Sequence, residues 1–99
     1  MIVILGTVRL PPQNLGAARP VMAAMTRASR GEDGCIAYAY AEDVFEPGLI
    51  RVSEVWRDQA ALDAHAKAPH LAEWRAAWPA WGIGERRLMV YEAADPNPI

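Results

Sequence analysis

The chain has 99 residues, the length of a single domain, and a net charge of −2. Acidic and basic residues are mixed along it, so no basic block predicts nucleic-acid binding and no charged run predicts a disordered arm. The single cysteine, Cys35, excludes an intrachain disulfide and a paired-cysteine metal site, and it favours a reducing compartment, the cytoplasm.

Apolar residues are abundant in this sequence. Hydrophobic types make up 53% of the chain and include four tryptophans. That share is at the upper edge for a soluble domain. It predicts either an unusually rich core or an apolar surface that a partner covers.

The first two elements are a strand and a helix. Residues 2–10 are rich in β-branched types and are followed by two prolines, which predicts a strand. This stretch is too short to span a membrane and is apolar on both faces in its first half, so we expect cover on both sides. Residues 14–30 predict a helix with Asn14 as N-cap. Pro20 either kinks that helix or marks where its regular part begins.

Two strands follow in the middle of the chain. Residues 35–43 alternate between bulky and small side chains and predict a strand, and residues 49–57 predict the next strand after a turn at residues 46–48. Asp58 is a candidate cap for a short helix that ends at about Ala66.

The last third predicts a helix and a strand. Pro69 suits the first turn of a helix that carries Trp74, Trp78 and Trp81 on one face, and Pro79 should kink or end it. Residues 87–92 then predict the fourth strand.

The predicted order β-α-β-β-α-β is that of a ferredoxin-like α+β fold with an antiparallel sheet. We expect residues 1–94 to form one domain and residues 95–99 a loose tail. Helices on one face of the sheet leave its other face bare. A second copy of the chain would cover this face, which predicts a homodimer.

Several short motifs in this order resemble the antibiotic biosynthesis monooxygenase family of dimeric α/β-barrel proteins. The resemblance runs over about residues 2–92 and is carried by residues 32–35 (EDGC), which lead into Tyr38 and Tyr40, by residues 53–56 (SEVW), by His65, and by residues 68–70 (APH). It implies a cavity between sheet and helices in which a quinol or phenolic substrate is oxidised by molecular oxygen without metal or flavin.

The resemblance also selects the candidate site residues. His65 and Glu54 are the candidate catalytic groups. The candidate substrate-binding residues are Trp56, Tyr38, Tyr40, Trp74 and Leu62. Two departures bear on the activity. Val52 stands where some oxygenase members have asparagine, and the haem-degrading branch is disfavoured because its first-strand asparagine and helical histidine have no counterpart here.

Each charged candidate has two interpretations. Glu54 is either a proton acceptor with a raised pKa or half of a structural ion pair with an arginine such as Arg51 or Arg87, on a neighbouring element or chain. His65 is either a general base or a histidine bonded to the backbone. Arg75 is either a surface charge or a clamp for an anionic substrate.

Metal binding is disfavoured by the sequence, and two other functions remain open. His65 and His70 lie five residues apart across a proline, a spacing that does not predict a metal site. Two further functions fit the same fold. One is a non-catalytic dimeric module that binds small ligands, and the other is an isomerase or lyase of the same barrel superfamily.

Overall fold

A computed structural model describes all residues from 1 to 99, and its element order is the predicted one. The strands are β1 (Ile2–Arg9), β2 (Cys35–Glu42), β3 (Leu49–Trp56) and β4 (Gly84–Glu92). The helices are α1 (Leu15–Arg30), α2 (Gln59–Ala66) and α3 (Pro69–Trp81), with a short 3-10 turn at Pro12–Asn14 before α1. The ferredoxin-like α+β prediction is therefore confirmed.

The four strands form one antiparallel sheet in the order β2-β3-β1-β4. The helices pack on one face, which we call the inner face. In the register of β1 with β3, Ile2 stands opposite Trp56 and Ile4 opposite Glu54, so these side chains share the inner face. The core lies between this face and the helices.

The Asn14 cap needs correction, and so does the alternative that the regular part of α1 begins only near Pro20. α1 runs without interruption through Pro20, because the carbonyl that loses its donor belongs to Gly16, an exposed residue whose carbonyl water can reach. Asn14 does not cap α1 with its side chain; its Nδ2 donates instead to the Trp81 carbonyl, 2.8 Å away. The cap predicted for α2 is confirmed, since Asp58 Oδ1 accepts from the Ala61 amide at 2.9 Å.

β4 crosses unusually close to β1. A Cβ atom added at Gly6 would lie 1.9 Å from the Arg87 carbonyl oxygen. Glycine is therefore required at this position by the approach of the β4 backbone.

The outer sheet face, defined by Val3, Leu5, Met89 and Tyr91, is apolar and open. Leu5 stands opposite Met89 and Val3 opposite Tyr91 across the β1–β4 pair. Leu5, Met89 and Tyr91 are 48%, 61% and 50% exposed. No helix of the chain is long and apolar enough to cross a lipid bilayer.

Candidate functional site

A cavity of about 370 Å³ lies between the inner sheet face and helices α2 and α3. Its lining is mostly apolar, with a few polar groups, as is usual for a site that takes a small molecule. All four strands and both helices contribute residues to its lining. The main lining residues are Ile4, Tyr38, Tyr40, Glu54, Leu62, His65, Leu71, Arg75, Arg86, Leu88 and Val90.

His65 lies in the last turn of α2 and is 3% exposed. Its Nδ1 is 2.5 Å from Oε2 of Glu32, which lies in the loop between α1 and β2. An ionised carboxylate can only accept a hydrogen bond, so Nδ1 carries the ring proton and donates a hydrogen bond to Glu32. In the neutral ring Nε2 is then the free acceptor, and it lies 3.9 Å from Glu54 Oε1.

Glu54 is 4% exposed on β3 and accepts a hydrogen bond from Trp56 Nε1 at 3.0 Å. Burial raises the pKa of its carboxyl, because the charged form loses its hydration. The Trp56 hydrogen bond and the positive charges of Arg75 and Arg86 act in the opposite direction, as does the His65 ring when it is protonated. The site therefore holds a carboxyl group that keeps its proton to higher pH than an exposed glutamate does.

Neither Arg51 nor Arg87 pairs with Glu54 within the chain. Arg51 and Arg87 both stand opposite Thr7, on the outer face of the sheet. Arg51 donates instead to Asp43 at 2.8 Å. A position on the opposite face of a strand cannot reach Glu54, since successive side chains alternate between faces.

Aromatic side chains surround the imidazole. Tyr38 meets the His65 ring edge-on at 5.3 Å and stacks on Tyr40 at 5.8 Å between centroids. The Trp56 ring lies 4.6 Å from that of His65, and Trp74 packs edge-on against Tyr40 at 5.8 Å. Burial raises the pKa of both tyrosines, which keeps them as neutral phenols that can donate or stack.

The structure brings five of the seven sequence-derived candidates to the cavity surface, namely His65, Glu54, Tyr38, Tyr40 and Leu62. Trp56 and Trp74 do not line the cavity. Both are fully or almost fully buried, and they support the rings that do line it.

Sequence reasoning did not assign roles to Glu32, His70 or Arg86. Glu32 Oε2 also lies 3.0 Å from His70 Nε2, so one carboxylate oxygen meets two imidazoles. Glu32 lies 33 positions before His65. Its place in the EDGC motif was the only signal in the sequence, and that motif does not indicate its partner.

Glu32, His65 and His70 bring three potential metal-ligand atoms close together. One atom each from Glu32, His65 and His70 lies within 4.8 Å of the others, and two histidines with one carboxylate are a donor set that transition metals accept. The prediction of no metal site considered only the two histidines and missed Glu32. In this structure each imidazole already bonds to Glu32, which satisfies the carboxylate without an ion.

The fold and cavity define a class: a ferredoxin-like α+β domain with a small-molecule cavity between its sheet and helices. The family model for antibiotic biosynthesis monooxygenase matches residues 1–77. The chain belongs to the antibiotic biosynthesis monooxygenase family, which confirms the resemblance inferred from its motifs.

Individual relatives agree with this membership. The chain is 30% identical over 98 residues to the uncharacterized protein sll1783 of Synechocystis sp., a match that covers 99% of this chain and 67% of that protein. It is 35% identical over 65 residues to Rv0793 of Mycobacterium tuberculosis, described as a candidate monooxygenase, and this match covers 66% of the chain and 63% of Rv0793.

Solved structures show the same architecture. A Deinococcus radiodurans protein, described as a candidate antibiotic biosynthesis monooxygenase, superposes with a TM-score of 0.91 at 25% identity, over 100% of this chain and 98% of that one. The structure of Rv0793 superposes with a TM-score of 0.81 at 26% identity, over 98% of both chains.

Proposed function

We propose that the chain is a cofactor-independent monooxygenase that oxidises a phenol or quinol with molecular oxygen. The observation that carries the proposal is the His65 imidazole, which is held by Glu32 at Nδ1 and has its Nε2 free beside Glu54 at the cavity. A free imidazole nitrogen can accept a phenolic proton, which is the role of a general base.

The proposed reaction begins when His65 Nε2 takes the substrate hydroxyl proton. The phenolate, an electron-rich anion, then passes one electron to oxygen, and the resulting radical and superoxide combine at a ring carbon. Loss of water from this peroxide leaves the oxidised ring. Overall the substrate loses two hydrogen atoms and gains one oxygen atom, and the second oxygen atom leaves as water, so no other reductant is consumed.

The remaining cavity residues have roles in this scheme that follow from their positions. Tyr38 and Tyr40 offer faces on which an aromatic ring can stack, and Leu62 extends the apolar wall. Glu54, with its raised pKa, lies where it can receive a proton from the imidazole or donate one to the departing water. Trp56 and Trp74 hold these groups in place from behind.

A homodimer through the outer sheet face completes the proposal. An apolar face of this kind on a 99-residue chain is stabilised when a second copy removes it from water. A symmetric pair uses the same face on both copies.

The test is protein-dependent oxygen uptake with 1-naphthol and with 1,4-dihydroxynaphthalene. Under ¹⁸O₂ we expect one labelled oxygen atom in the product. His65→Ala should lower turnover by roughly 10²–10⁴-fold, and higher pH should partly restore it because the substrate then ionises in solution. The control is Lys67→Ala, which removes an exposed cation next to the same helix.

Two results would contradict this function. Binding of both compounds without oxygen uptake would favour a non-catalytic binding module. An unchanged rate in a folded His65→Ala protein would remove the imidazole from the mechanism.

A further inference from the structure

Two arginines line the cavity without a protein partner. Of the nine arginines in the chain, Arg9, Arg19, Arg30, Arg51 and Arg57 donate to a carboxylate or a backbone carbonyl. Arg75 on α3 and Arg86 on β4 have no such bond and no carboxylate within 4.0 Å, and both line the cavity. Both residues are exposed, whereas His65 and Glu54 are buried, so the two guanidinium groups lie at the open end.

Arg86 is placed by an irregularity in β4. Thr7 stands opposite Arg87 and Arg9 opposite Gly84, so two residues of β4, Glu85 and Arg86, face the single residue Val8 of β1. This is a β-bulge, a feature that redirects a side chain and is common next to functional sites.

The bulge contains a strained residue. Glu85 has a φ of 48°, which a residue other than glycine rarely adopts, and its Oε2 is held 3.2 Å from Arg9 Nε. Backbone strain of this kind persists where the surrounding structure enforces it. Here it immediately precedes Arg86, a residue of the cavity lining.

The positive field of the two arginines reaches the buried end of the cavity. Burial raises the pKa of Glu54, whereas the positive charges of Arg75 and Arg86 both lower that pKa. The other exposed charge on the lining, Asp63, accepts a hydrogen bond from Gln59 at 2.9 Å on its own helix. The two cations are therefore available to an anion that enters from solvent.

We propose that Arg75 and Arg86 form an anion subsite at the cavity mouth that selects aromatic ligands bearing a carboxylate. Guanidinium groups match the planar carboxylate and bind it with paired hydrogen bonds. An aromatic acid held there extends its ring along the apolar wall towards Tyr38, Tyr40 and His65. The phenolic part of this substrate class rests on the proposed function, whereas the carboxylate preference does not.

A binding experiment tests the subsite without any turnover. Quenching of tryptophan fluorescence is titrated with naphthalene-2-carboxylate and with neutral naphthalene-2-carboxamide, neither of which has a phenolic hydroxyl. We expect the carboxylate to bind roughly 3- to 10-fold more tightly to the wild-type chain, a factor that fits charge-assisted contacts at an exposed site. The preference should shrink at high salt.

Matched variants then assign the preference. The double variant Arg75→Gln/Arg86→Gln should bind both probes equally, whereas Arg27→Gln, which removes an exposed and unpaired arginine of α1, should keep the wild-type preference. Equal affinities in the wild-type protein, no binding of either probe, or a preference that survives in the double variant would each overturn the subsite.

Turnover separates the two proposals. With 1,4-dihydroxy-2-naphthoate, its methyl ester and 1,4-dihydroxynaphthalene, we expect the acid to have the lowest KM and the double variant to raise only that value. Oxygen uptake with equal KM for all three compounds would overturn the subsite and leave the monooxygenase. A carboxylate preference in binding with no uptake from any of them would overturn the monooxygenase and leave the subsite.

Discussion

His65 Nδ1 lies 2.5 Å from Glu32 Oε2, although the two residues are 33 positions apart. Because the carboxylate holds the proton on Nδ1, the ring presents Nε2 as its acceptor on the side of Glu54. Glu32 does not line the cavity, so it is a positioning residue and acts through His65.

Glu32→Gln should lower kcat by roughly 10- to 100-fold, less than the loss of the imidazole itself. The neutral amide can still bond to Nδ1 but no longer favours one tautomer or stabilises the protonated ring. The acid limb of the pH–rate profile should therefore shift to lower pH, because the imidazolium loses its anionic partner and is deprotonated more easily. Steady-state rates measured between pH 5.5 and 9 give both the loss in kcat and the shift of the profile.

The matched control is Asp33→Asn, which changes the neighbouring carboxylate, an exposed group paired with Arg57 at 3.3 Å. Its rate and profile should match those of the wild-type chain. Equal effects from both substitutions would mean that Glu32 acts through its negative charge alone and not through its hydrogen bond to His65.

Glu54→Gln should change how stability depends on pH. Burial raises the folded-state pKa of Glu54, so the folded chain holds this proton where the unfolded chain releases it, and the stability of the wild-type protein falls as pH rises from about 4.3 through the folded pKa. The amide cannot titrate. The variant should gain stability relative to wild type between pH 4 and 7.5, by an amount on the order of 1 kcal/mol.

Urea unfolding of both proteins at the two pH values measures this difference. The comparison must be between the proteins, because Glu42, Asp43 and Asp58, whose pKa values are lowered by hydrogen bonds or arginine partners, change the stability of both alike in the opposite direction. The difference in stability between variant and wild type is compared at the two pH values. If the variant loses stability relative to wild type on going from pH 4 to pH 7.5, the ionised carboxylate is favourable in the fold.

Gly6→Ala should destabilise the fold by roughly 2–4 kcal/mol, since the added methyl group would lie 1.9 Å from a β4 carbonyl and the strand must move. Thermal unfolding measures the loss. Gly16→Ala is the matched control: it has nothing within 4 Å, lies in α1, and should stabilise the chain by up to about 1 kcal/mol. Equal melting temperatures for Gly6→Ala and wild type would mean that β4 does not hold this close approach in solution.

Leu5→Lys should convert the proposed dimer to a monomer, because it places a charge in the centre of the outer sheet face. Light scattering coupled to size exclusion at micromolar concentration distinguishes the two states. Val44 is 88% exposed in the turn between β2 and β3, so Val44→Lys should leave the dimer intact. A wild-type chain that is already monomeric at this concentration would remove the dimer from the proposal.

Dialysis against EDTA should leave both the oxidation rate and the melting temperature unchanged. The reason is that Glu32 already bonds to both His65 and His70, which accounts for the convergence of the three groups without an ion. Elemental analysis before and after dialysis completes the test. Stoichiometric metal that is absent from His70→Ala would assign these side chains to a metal site.

Local patterns in the sequence were sufficient for the elements and their order. The alternation in β2 and β3, the Asp58 cap of α2 and the tryptophans of α3 all reflect contacts between residues a few positions apart, which periodicity records directly. Pro20 and Asn14 were harder, since the outcome at each depended on surroundings: an exposed carbonyl at Gly16 and a distant acceptor at Trp81.

The sequence by itself determined the ferredoxin-like order, the family and the candidate residues His65, Glu54, Tyr38 and Tyr40, because short-range spacing and motif order contain that information. Only the tertiary structure decided the partners of those residues. Chain folding brings Glu32 to His65, leaves Trp56 behind the cavity wall, and uses a bulge in β4 to place Arg86 in its lining. Contacts of this kind depend on how strands register and how loops close, and no local pattern encodes either one.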